Sequence, residues 1–161
     1  MSEIKIYINN DPLLRKRCKK LTTLTETDRK LFNDMLEIMY KSKGIGLAAS
    51  QVGVLKQMLV VDIGSGPLKI VNPRLMKRQG KCFMEEGCLS LPNVFVNVKR
   101  GKNVVVEGQD EFGKTVKIAA DNLLARVLQH ELDHLNGVLI IDYLPWYKRF
   151  WMYQRLASKR P

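Results

Sequence analysis

The stretch DNLLARVLQHELDHLNG, from Asp121 to Gly137, decides how the rest of the chain is read. Asp121 or Asn122 can cap a helix that Gly137 ends. Leu123, Leu124, Val127, Leu128, Leu132 and Leu135 cover much of its circumference, so the helix is expected to lie buried against a sheet. Within it, His130-Glu131-Leu132-Asp133-His134 matches H-E-x-x-H. Residues four apart lie one turn above each other on one helix face, so two imidazoles there can reach one metal ion. Glu131, beside the first of them, can reach a water on that ion. The only two histidines of the chain both fall in this motif, on the face that also carries Leu123 and Val127.

The surroundings read as α+β: antiparallel sheets wrapped around this central metal-binding helix, in one catalytic domain spanning residues 1–161. Upstream, Leu31, Met35, Leu36 and Met39 recur at helical spacing, with Thr25 or Thr27 to start that helix and Gly44 to end it. Alternation or apolar runs predict strands at Ile4–Ile8, Gln57–Ile63, Leu68–Asn72, Val94–Val98, Val104–Gln109 and Lys114–Ala119. The last two flank a hairpin turn at Asp110–Gly113. Asp11-Pro12 starts a turn or short helix, and Cys82–Leu91 reads as irregular.

No apolar run approaches the ~20 residues of a membrane span, so no membrane partner is expected. The first residues lack the features of a signal or transit peptide, which points to the cytoplasm or to an organelle protein already trimmed. Three cysteines cannot complete a disulfide framework; in a reducing compartment they are free thiols or metal ligands. The net charge of +11 favours a polyanionic partner, nucleic acid or an acidic membrane surface, without a motif to choose between them.

A catalytic site of this kind needs a third protein ligand and an open position for water. A third histidine six residues past His134 is ruled out, because that position is Ile140, and no acidic residue follows Asp142. The third ligand is then Asp142 or an upstream residue, and thiolate chemistry favours cysteine. Cys88 is preferred because Gly87 before it lets the backbone approach a ligand, whereas Cys18 and Cys82 read as small thiols without a role. Gly44-x-Gly-x-x-Ala49 is not a dinucleotide loop, since it follows a helix and precedes a strand.

Three segments together, Gly44-Ile-Gly-Leu-Ala-Ala-Ser-Gln51, Glu86-Gly-Cys-Leu-Ser90 and His130-Glu-Leu-Asp-His134, resemble the three signature motifs of the peptide deformylases, in order and in spacing, from Ile6 to about Leu144. The resemblance implies removal of the formyl group from N-formylmethionine on nascent chains. It implies that Cys88, His130 and His134 hold the metal, usually Fe²⁺ with Zn²⁺, Ni²⁺ or Co²⁺ able to substitute. It makes Glu131 the general acid/base, and Gln51 and the Leu89 N–H the oxyanion donors. Gly44, Gly46 and Gly87 would border the bound peptide as an added strand. Ile45, Met84, Glu86, Leu123 and Val127 would line the methionine pocket, with Glu86 paired to Arg100. Where the best-known bacterial members carry an Arg that contacts the peptide, this chain has Val94 and Phe95. Members often end in a longer basic helix that docks on the ribosome. Here residues 146–161 are short and mix Lys148, Arg149, Arg155, Lys159 and Arg160 with aromatics, as a docking helix or a segment packed on the core. The rival readings are an H-E-x-x-H peptidase cleaving ordinary amides, a ribosome- or nucleic-acid-binding module with a structural zinc, and a deformylase-like chain without turnover. Three visible ligands favour an open position over a closed structural site.

Overall fold

The computed structural model describes residues 4–9 and 11–158. Among the described residues, seven strands and three α-helices form an α+β fold. Strands β1 (Gly46–Ala48), β2 (Met58–Val61), β3 (Leu68–Gln79), β6 (Asn103–Gln109) and β7 (Thr115–Asp121) make one antiparallel sheet in the order β1-β2-β3-β6-β7. Strands β4 (Cys82–Cys88) and β5 (Leu91–Arg100) form a separate antiparallel pair.

Side chains alternate across a strand, and β2 shows what that does. Leu59 and Val61 face helix α2 (Asn122–Leu135), packing with its Ala125, Leu128 and Leu135. Met58 and Val60 face helix α1 (Glu26–Lys41), packing with its Phe32, Met35 and Met39. Covered on both faces, β2 reads as the unbroken apolar run MLVV. The other side of α2 meets the β4–β5 pair: Arg126 donates to Val98 O (3.0 Å) and Cys82 O (2.8 Å), and Gln129 bonds both backbone groups of Gly101 at 2.9 Å. The histidine-bearing helix is thus clamped between two sheets.

Several local expectations change. Ile4–Ile8 forms no strand; its recorded backbone bond to the body of the fold is Tyr7 N to Gln51 O, 2.7 Å. Cys82–Cys88 is not irregular but a strand, most of whose side chains face solvent, so it shows no alternation of apolar and polar residues. Strand β3 runs past Asn72-Pro73 to Gln79, because register shifts after Val71 and Leu75 accommodate a proline that cannot join a ladder. Helix α1 begins with a full capping box between Thr25 and Asp28, but its exit is taken by Ser42 and Lys43, the latter at φ 56°, not by Gly44. Asp121 occupies the N-cap of α2 without a side-chain cap bond. Gly137, at φ 74°, does close α2, and any Cβ there would strike the Arg15 carbonyl.

The tail forms helix α3 (Trp146–Ala157). Leu156 is buried, and Met152 and Tyr153 pack with it against Leu91, Val94 and Val96 of β5, while Trp146, Phe150 and Trp151 are bare. Lys159, Arg160 and Pro161 lie outside the described residues.

Candidate active site

A cleft of about 370 Å³ opens between β1, β4 and α2. Ile45, Met84 and Leu123 line it and remain 42%, 48% and 43% exposed, an apolar wall facing solvent of the kind that takes a ligand. Leu123 therefore points into the cleft and not into the core. Val127 completes this wall from α2.

At the base of the cleft three ligand atoms converge. Cys88 Sγ lies 3.2 Å from His134 Nε2, His134 Nε2 lies 3.1 Å from His130 Nε2, and all three atoms fall within 4.8 Å of one another. One turn of α2 separates the rings, as the spacing predicts, and β4 carries the sulfur to them across the gap. Sulfur and two imidazole nitrogens aimed at one point are a donor set for a divalent transition metal. The 3.1 Å contact between the two Nε2 atoms suits either a shared cation or an N–H···N hydrogen bond whose donor is set by the tautomer. Burial pulls the His130 pKa down, but hydrogen bonds to Cys88 and Glu86 outweigh it and hold His130 well above its usual range. Burial keeps His134 well below its usual range, so it stays neutral. The residues present fit a metal ion.

Glu131 is 3% exposed, and its Oε2 has no hydrogen-bond partner among the described residues. Burial pushes its carboxyl up to about 7, against the pull of His130 and Arg100. An orphaned carboxylate oxygen at the base of a cleft, beside a metal-type donor set, is placed to exchange protons with a bound reactant.

The Gln51 amide has its orientation set by elementary donor logic. The Ala48 N–H can only donate, and it bonds Oε1 at 2.8 Å. The NH₂ group must then face the other way, towards Ser90 Oγ (3.1 Å) and Cys88 Sγ (3.8 Å). Leu89 follows Cys88 in the turn between β4 and β5. Two of the three glycines are needed for closeness: a Cβ on Gly46 would meet Val127 Cγ1 at 2.7 Å and clash with Glu131 Oε1, and one on Gly44 would meet Leu89 Cδ1 at 2.6 Å. Gly87 sits under the Phe95 ring.

Glu86 borders the cleft, but its carboxylate is fully engaged away from any ligand. It accepts from Arg100 Nε and Nη2 (both 2.9 Å) and Arg126 Nη1 (2.6 Å), and its Oε2 lies 3.0 Å from His130 Nδ1. Burial would raise its pKa, yet His130 and Arg100 hold it down at about 2. Its placement makes it the residue that orients His130. Sequence reading anticipated the Arg100 pair but missed Arg126, Ser90 and the Asp133–Tyr143 bond (2.7 Å) behind Arg100. Arg126 had a signal: it lies four residues before His130 on a helix face otherwise expected to be apolar.

A family model described as polypeptide deformylase matches residues 4–150. A peptide deformylase of Halothermothrix orenii is 45% identical over 144 residues, covering 88% of this chain and 94% of its own. The crystal structure of a peptide deformylase from Legionella pneumophila superposes with a TM-score of 0.89 at 39% identity, covering 99% of this chain and 100% of that one. That of the Ehrlichia chaffeensis peptide deformylase in complex with actinonin reaches 0.92 at 36% identity, covering both chains fully (100% and 100%).

Proposed function

This chain belongs to the polypeptide deformylase family, and from that premise we propose how its own residues carry out the family's reaction. It is a metal-dependent hydrolase that removes the formyl group from N-formylmethionine of newly made polypeptides, releasing formate. The observation that carries this reading is the convergence of Cys88 Sγ, His130 Nε2 and His134 Nε2 beside the orphaned Glu131 carboxylate, at the base of an apolar cleft.

We assign the metal to those three donors, with Fe²⁺ as the native ion and Zn²⁺, Ni²⁺ or Co²⁺ as substitutes. When bound, the cation supplies Lewis acidity, bringing the pKa of water towards neutrality and drawing charge from the formyl carbonyl. Glu131 takes the proton of the attacking water. Gln51 Nε2 and the Leu89 N–H donate to the carbonyl oxygen as charge builds on it. Glu131 then delivers its proton to the amine as the carbon–nitrogen bond breaks, leaving formate and a free N-terminus. Glu86, ionised and locked by two arginines, keeps the His130 ring in register.

The methionine side chain lies along Ile45, Met84, Leu123 and Val127, and the peptide runs as an added strand beside Gly44, Gly46 and Gly87. A formyl carbon bears only hydrogen, so the glycine-lined approach at Gly46 admits it and sterically rejects larger acyl groups. The chain works as one catalytic unit where nascent chains are made, and the ribosome is the partner that presents them, met through the basic surface or α3. No described helix is long and apolar enough to cross a membrane.

The test is formate release from a formyl-methionyl peptide by protein loaded anaerobically with Fe²⁺, beside cleavage of an unformylated peptide. Formate release without peptide cleavage is the expected result; cleavage of internal amides without formate would assign the site to a peptidase instead.

A further inference from the structure

A second cavity, of about 390 Å³, lies on another face of α2, lined from that helix by Gln129, Leu132, Asp133 and Leu135 and by Asn136 just past its end. Its walls carry Arg17 and Lys20 from the segment before α1, and Arg74 and Arg78 from β3. Arg74 is paired with Glu107 at 3.1 Å. Arg17, Lys20 and Arg78 have no hydrogen-bond or ion-pair partner among the described residues. Asp133 is the only carboxylate in the lining, and Arg100 and Tyr143 already hold it. Some cations elsewhere are matched, Arg15 with Asp142, Lys56 with Asp28 and Lys69 with Glu111, and others among the described residues stand alone on open surface; here three share one concavity.

Concave walls of one sign focus the field, and unneutralised cations sharing a cavity repel one another until an anion enters. Arginine forks suit phosphate oxygens. Tyr143, a lining residue that is 42% exposed, has the Arg100 guanidinium 4.9 Å from its ring centroid on one side and can offer only its other face to an unpaired base. A lipid surface, by contrast, asks for a flat apolar face ringed by cations.

We propose that this cavity binds the phosphodiester backbone of RNA. The choice of RNA over other polyanions rests on the proposed function, since newly made polypeptides are delivered by an RNA machine; the phosphate chemistry of the cavity does not depend on it.

The experiment is fluorescence anisotropy of a labelled RNA hairpin with the full-length, metal-loaded protein across a salt series. Combined Arg17→Ala, Lys20→Ala and Arg78→Ala should weaken binding at least tenfold at low salt. The slope of log affinity against log salt should fall by about two, near the ~0.7–0.9 expected per lost phosphate contact. Formate release from a free formyl-methionyl peptide should not change. Removing three exposed lysines elsewhere, Lys5→Ala, Lys114→Ala and Lys117→Ala, should change binding less than threefold. Arg78→Gln alone, which keeps the stem and a polar head, should reproduce part of the loss if the triple variant does not fold. Equal losses in both triple variants would reduce the effect to net charge and overturn the proposal. So would an unmodified protein that ignores the hairpin but binds vesicles of anionic lipid. Formate release is read separately, so failure of the catalytic reading and failure of the RNA site are told apart.

Discussion

Glu86 and Glu131 are both buried carboxylates beside the same imidazole, and their neighbours drive them in opposite directions. Burial raises both. At Glu86 the hydrogen bonds from His130 and Arg100 win and hold it near 2. At Glu131 burial wins and lifts it to about 7. One is permanently ionised and orients; the other exchanges a proton near neutrality. Glu131→Gln, nearly isosteric, should cut formate release by roughly 10²–10⁴-fold while metal content per chain holds. If metal content fell along with the rate, Glu131 would be supporting the site and not the chemistry. Glu86→Gln should behave differently, because it strips a charge from two buried arginines. Breaking a buried pair costs about 3–5 kcal/mol, and losing the carboxylate behind a metal-ligating histidine lowers metal affinity ~10–100-fold. Thermal unfolding and metal titration would both register that change, and a variant as stable and as tightly metallated as the parent would remove Glu86 from its orienting role.

Element by element, what was legible followed how local the physics is. Helix α2 carries its caps, its apolar faces and its two histidines in one continuous stretch, so its existence and the pairing of the rings could be read directly. Helix α1 was legible for the same reason, and its capping box makes a clean prediction. Thr25→Ala removes the acceptor that bonds Asp28 N–H and should cost about 1 kcal/mol, seen as a lower melting temperature with formate release unchanged. Strand β4 was illegible because a strand facing solvent has no reason to alternate, and its pairing partner β5 is what makes it a strand. Ile4–Ile8 alternates well, but among the described residues it joins no strand ladder and makes only the Tyr7–Gln51 backbone bond, so pattern alone misled. Cys88 stands between these cases: elimination and likeness singled it out, but only β4 brings its sulfur to the rings. On β1, closeness is the constraint. Gly46→Ala places a methyl against Val127 and Glu131, where overpacking costs about 1–3 kcal/mol. The rate of formate release should fall by at least tenfold with the chain still folded by circular dichroism; a fully active alanine variant would mean that the β1–α2 gap is looser than the geometry requires.

At the scale of the whole molecule, metal and protons compete for one place, and that ties stability to pH. The metal-free chain keeps a proton on His130, whose pKa lies well above its usual 6.5 through Cys88 and Glu86 despite burial. A raised histidine contributes stability below about 6.5 and loses it as pH rises through the folded value. Glu131 acts in the same sense. Its carboxyl, raised from 4.5 to about 7 by burial, brings no penalty at pH below 4.5 and a full one above 7. Metal-free protein is therefore favoured by mild acid. Metal-loaded protein is not, because the cation must expel the His130 proton, and affinity falls as protons become plentiful. Loading at neutral pH, with free metal at ~100–1,000 times Kd, adds about 2.7–4.1 kcal/mol to stability. The gap in melting temperature between loaded and chelated protein should be widest at neutral pH and close steadily towards pH 5, still above the range where Asp28 and Asp142 protonate. Those two carboxylates are held below their usual 3.8, Asp28 by Lys56 and Thr25 and Asp142 by Arg15, in both cases against the effect of burial. Their contribution is lost only as pH falls through those lowered values, and equally in both forms. Calorimetry of the two forms across that range reads the gap directly. A difference that stayed constant, or widened in acid, would mean that no proton leaves when the cation arrives, and the two imidazoles would then not be its ligands.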